Sequence, residues 1–149
     1  MEELNYGLIT ALKDLKEEID EKQSAFDEMA EPRLKDWNLL PKLYEIFLDT
    51  FPDHKGIRSV NYRLIFIFVV MYLYAPASLA GNWIPRGFRQ RIAKLFGLNC
   101  STPISDNVAV LDVYYKSYVA FRKNVDKLYS RFMEYLNTIE PQEESAPID

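Results

Sequence analysis

One cysteine, Cys100, stands in the 149 residues, so no disulfide can close within the chain. The single histidine, His54, lies in the turn-rich stretch Phe51-Pro52-Asp53-His54-Lys55-Gly56 with no second His or Cys beside it, and reads as a plain loop residue. Five glycines are present, none in a phosphate-cradling loop, and neither H-E-x-x-H nor a nucleophile elbow occurs. These absences exclude the recognisable catalytic and metal-binding signatures, so the expectation is a non-enzyme without a cofactor. The opening residues MEELNYGL are acidic and lack the basic and apolar regions of a signal peptide, which makes the cytoplasm the expected location. The formal sequon Asn99-Cys100-Ser101 has no role there. No long hydrophobic run occurs either. Leu64 to Ala75 is twelve residues and as a helix spans roughly 18 Å, against about 30 Å of bilayer hydrocarbon, so no membrane span is expected.

What is present suits a helical protein. Apolar residues make up 48% and charged residues 27%, enough to bury a core in a chain of this length. Aromatics reach 14%, with ten Tyr and nine Phe, which suits a small helical core or a partner interface. The net charge of −4 conceals an asymmetry: residues 1–36 carry −6, residues 37–139 carry +6, and the last ten carry −4. A basic body between acidic ends is compatible with an anionic partner, although charge alone favours ordinary solvated faces.

In the first segment Leu8, Leu12, Leu15, Ile19, Lys22, Phe26 and Met29 recur at alternating steps of four and three, a heptad seam interrupted by Lys22. The seam predicts a coiled-coil-like helix over 3–30, ended by Pro32. Either a second copy or the chain's own body can cover it. Pro41 to Thr50 predicts a second helix with Leu43, Ile46 and Phe47 inward. Ser59 caps the apolar segment Val60–Ala75, read as a buried central helix because no neighbouring strand-like run offers pairing. Pro76–Pro85 reads as a connector whose Trp83 and Ile84 dock onto the core.

From Ile104 to Ile139 apolar residues again alternate in steps of four and three. One continuous helix would be about 54 Å long, so the run is expected either to break near Lys116–Asn124 or to extend into a coiled coil. Arg122 falls on that seam. The expected fold is all-α: a single helical domain over 1–140 with its core in 37–140, N- and C-terminal heptad helices that pair, and a disordered acidic tail over 141–149. Leu8, Leu12, Leu15 and Ile19, with Tyr129, Phe132 and Leu136, are the expected oligomer interface.

Residues 86–118 form the stretch most suggestive of a function. Ile92, Ala93 and Phe96 share a helical face, and Gly97 suits the left-handed position after a helix. Leu98 plugs the turn, Ser101 and Thr102 are N-cap candidates, and Pro103 suits the first turn of the next helix. This order resembles helix-turn-helix DNA-binding proteins of phage and mobile-element type, over about 20 to 25 residues. The connection from Gly97 to Pro103 is longer than that family's tight turn, and Asp106 would repel phosphate. The resemblance therefore implies gripping of duplex DNA through phosphates more than reading of bases. Arg86, Arg89, Arg91 and Lys94 supply the cations, with Ser101, Thr102, Ser105 and Asn107 at the start of the second helix. The row Tyr114, Tyr115, Tyr118 and Phe121 can stack on bases but more often forms core at this spacing.

Three functions follow as expectations. The first is a DNA-associated regulatory or packaging protein, and the second a structural or adaptor protein acting through helical interfaces. The third is contact with an anionic membrane surface.

Overall fold

The computed structural model describes residues 3–53 and 59–145, with side chains described to residue 139. His54 lies outside the described residues. Those that are described form seven α-helices and a single 3₁₀ turn, and no strand. The fold is all-α, as the periodicities predict. The chain divides into two compact units, Met1–Glu31 and Pro32–Asp149, at the proline that the sequence marks as a helix breaker.

The first unit is one helix, α1 (Tyr6–Met29). Asn5 caps it, its side-chain oxygen accepting from the backbone N–H of Leu8 at 3.1 Å. The like-charge spacing of Glu17 and Glu21 is offset by a Lys16–Asp20 pair at 3.0 Å and a Gln23-to-Asp27 hydrogen bond of 2.8 Å. No residue of α1 is buried. Its helicity therefore rests on local propensity and capping.

The second unit is built around α3 (Ser59–Tyr74), which is apolar on every face and buries nine residues from Leu64 to Tyr74. A helix of that kind must be enclosed, and its neighbours do so. The helices α6 (Thr102–Ser117) and α7 (Val119–Ser145) pack along it, and α4 (Pro76–Leu79) folds back beside its end. The helix α2 (Leu40–Thr50) lies against α7 and against α5 (Phe88–Leu95). Pro41 sits in the first turn of α2, where its missing N–H costs nothing. The non-helical segment before α2 is pinned to the end of α3: the backbone N–H groups of Arg33 and Leu34 both donate to the Leu73 carbonyl, at 2.9 and 3.0 Å. Tyr74 adds a side-chain bond, its hydroxyl donating to the Asp36 carbonyl at 2.8 Å. Burial, and then the Asp36 charge, hold the Tyr74 hydroxyl well above the usual phenol range.

The long C-terminal run breaks inside the expected window. Tyr118 leaves the helical region (φ −119°, ψ 108°) and separates α6 from α7. Three expectations need correction. Phe132 and Leu136 are fully buried and Tyr129 is half-buried, so these residues form core within the chain, not an oligomer interface. The reason is that α3 and α2 take up the α7 seam. The helix also continues through Pro141 to Ser145, where the sequence predicts a disordered tail; residues 146–149 lie outside the described residues. Trp83 is 97% exposed while Ile84 packs on the core. In the non-helical backbone of that connector, successive side chains project to different sides.

Candidate functional site

The helix pair α5–α6 forms as the sequence anticipates, and the turn between them has a complete hydrogen-bond pattern. Gly97 N–H donates to the Lys94 carbonyl at 3.1 Å and Leu98 N–H to the Ala93 carbonyl at 2.9 Å. That is a Schellman motif, and it needs the left-handed φ of +69° that Gly97 adopts. Half-buried Leu98 then packs against the core, and α6 opens at Thr102 with Pro103 in its first turn. Ser101 holds the cap position without a side-chain cap bond, and Thr102 is exposed.

The candidate binding residues are not all free to face a ligand. Arg89 Nη1 donates to the Ser105 hydroxyl at 2.6 Å, which locks α5 to α6 and engages both side chains. Asn107 is 8% exposed, and its side-chain oxygen accepts from Arg63 Nε at 2.8 Å. It therefore faces α3 and not the surface. The Arg91 guanidinium lies 5.7 Å from the centre of the Trp37 ring, within cation–π range. Arg86, Arg91 and Lys94 are exposed, and among the described residues neither Arg86 nor any of the three α5 cations pairs with a carboxylate. Arg91 and Lys94 border a shallow depression of about 450 Å³ together with Trp37, Leu40 and Pro41. At the start of α6 the exposed positions are Thr102 and Asp106, a poor set of donors for base edges.

Two partners went unrecognised in the sequence. Arg63 is the one charge within the apolar α3 segment, and a lone charge entering a buried helix signals a polar partner nearby. Trp37 has no comparable signal. It reaches Arg91 only because the 3₁₀ turn Trp37–Leu39 brings it beside α5.

The tyrosine row divides between core and surface. Phe121 is buried and in ring contact with Tyr114 at 5.7 Å, whereas Tyr115 and Tyr118 are about half exposed. On α1 the seam residues Leu8, Leu12, Leu15 and Ile19 are each more than half exposed. Among the described residues, no group of three or more His, Cys, Asp or Glu is placed to hold a metal ion, and no helix is long and apolar enough to cross a membrane. No family model, curated protein or solved structure matches the chain.

Proposed function

We propose that this chain is a non-enzymatic adaptor that works through helical protein–protein contact, with α1 as its docking element. One observation carries the reading: a helix of 24 residues keeps a heptad row of leucine and isoleucine more than half exposed and buries none of its own residues. An apolar stripe that long is a surface for another helix.

The register of α1 also favours a particular kind of partner. Its 24 residues hold three lysines and seven acids, a net charge of −4. In a parallel pair of two α1 helices Lys22 meets its own copy in the seam, and Glu18 faces only Gln23 across the flank. In an antiparallel pair Lys16 faces Lys16 and Glu18 faces Glu18. Neither arrangement gains an attractive flank pair. A partner helix with basic flanks does, and it removes the like-charge repulsion. Sedimentation velocity of the full chain with a leucine-heptad peptide flanked by lysines tests this. A one-to-one complex that is lost in Leu12→Asp/Leu15→Asp is expected. No complex, or one indifferent to those substitutions, overturns the reading.

A second reading keeps duplex DNA as the partner of the body. It is favoured by Arg86, Arg91 and Lys94, which are exposed and have no carboxylate partner among the described residues. Such contacts are to phosphates, so affinity should fall steeply with salt. Titration against duplex DNA at low salt tests it, and absence of binding at roughly micromolar protein removes it.

A further inference from the structure

A cleft of about 380 Å³ lies between α3, α6 and α7, lined by Phe68, Tyr72, Tyr115 and Tyr129 together with Arg122 and Asp126. Phe68 stacks on Tyr115 (5.7 Å between ring centres, 18° between planes), and Tyr72 meets Tyr129 edge-on (5.6 Å, 87°). Phe68 and Tyr72 are one turn apart on α3, while Arg122, Asp126 and Tyr129 share one face of α7. Two aromatic pairs therefore sit one above the other along the cleft. Tyr72 and Tyr115 remain 50% and 47% exposed, so both rings still offer apolar surface to a ligand.

The polar groups of the cleft are three phenol hydroxyls, each able to donate or accept, one guanidinium and one carboxylate. Among the described residues, no acceptor engages the hydroxyls of Tyr72, Tyr115 or Tyr129, although Tyr62 and Tyr74 each have one. Arg122 and Asp126 are four apart on α7 and both exposed, yet they form no ion pair among the described residues. The guanidinium thus adds more unused donors, against a single carboxylate.

A proline-rich segment in the polyproline II conformation matches this surface on three counts. Its rings pack flat against aromatic faces, its carbonyls point outward as acceptors without accompanying N–H groups, and it is extended before it binds, so little ordering entropy is lost. Single-stranded nucleic acid fits less well, because the one cation of the cleft is balanced by Asp126 and a phosphate backbone needs a positive groove. We propose that the cleft is a binding site for a proline-rich peptide that carries a basic residue. Prolines seat on Tyr72, Tyr115 and Tyr129, backbone carbonyls accept from the phenols and Arg122, and the peptide's base meets Asp126. The proposal is independent of the α1 reading, since none of these residues belongs to α1.

The test is an NMR titration of the isotope-labelled full chain with a peptide of consecutive prolines ending in lysine. The same peptide with glycines for prolines, and a thymidine oligonucleotide, serve as comparisons. Shifts centred on α3, α6 and α7 are expected with the proline peptide alone. Tyr72→Ala/Tyr115→Ala should weaken binding by about tenfold or more, and Arg122→Gln by a smaller factor. Asp126→Asn should abolish the preference for a lysine-bearing peptide over an uncharged one. Arg122→Gln and Asp126→Asn lie at exposed positions, so they keep the test decisive even if the double tyrosine variant unfolds. Leu12→Asp/Leu15→Asp should leave this binding unchanged, which separates its failure from that of the α1 reading. No shifts at roughly millimolar peptide, equal shifts with the glycine peptide, binding of the oligonucleotide instead, or exposed-site variants with unaltered affinity would each overturn it.

Discussion

Arg63 Nε donates to the Asn107 side-chain oxygen at 2.8 Å, joining the apolar central helix α3 to the early turns of α6. Asn107 is a buried polar residue, and the bond spares both groups an unpaired burial. Asn107→Ala should lower stability in urea unfolding by about 1.5 to 3 kcal/mol, because it strands a partly buried guanidinium. Adding Arg63→Met should recover part of that loss. If the two effects are simply additive, the bond is not coupling the helices.

Gly97→Ala should destabilise the protein by about 1 kcal/mol, seen as a lower midpoint in thermal unfolding. No atom lies within 4 Å of a Cβ built at Gly97, so the whole cost comes from holding alanine at φ +69°. A neutral result would mean that the Schellman turn relaxes without loss.

Phe132→Ala and Leu12→Ala separate the two apolar seams. Phe132 is fully buried within the body and should cost about 3 to 5 kcal/mol. Leu12, 56% exposed on α1, should cost the unpartnered chain less than about 0.5 kcal/mol. Equal costs would contradict the assignment of one seam to the core and the other to a partner.

Tyr74 sets a stability limit at high pH. Burial and the Asp36 charge raise its hydroxyl above the ordinary value of 10.0, so the folded state holds this proton more tightly than the unfolded state does. Its contribution is complete below about pH 10 and is lost as pH rises toward the folded-state value. Tyr74→Phe should cost about 1 kcal/mol at neutral pH, through the lost bond to the Asp36 carbonyl, and should flatten the alkaline decline. Denaturant unfolding repeated across this pH range checks both effects.

The helices were legible because their signals are local. The apolar run of α3, Pro41 in the first turn of α2 and Gly97 after α5 each depend on residues close in sequence. The site was less legible because its partnerships cross long sequence separations. Arg89 and Ser105, Arg63 and Asn107, and Arg91 and Trp37 meet only once the helices have packed. Periodicity also treats the α1 and α7 seams alike. It cannot tell that α7 is covered within the chain, since that depends on where α2 and α3 lie. Trp83 shows the opposite limit: a large ring invites burial, yet its connector backbone turns it outward.

Amide hydrogen exchange along α1 is the most direct measurement, taken with and without a leucine-heptad peptide flanked by lysines. Slowed exchange from about Leu8 to Phe26 with that peptide, and none with a glutamate-flanked version, is the expected result. Exchange on α1 that is unchanged by either peptide, or slowed equally by both, would contradict the claim that this helix is a docking element for a basic-flanked partner.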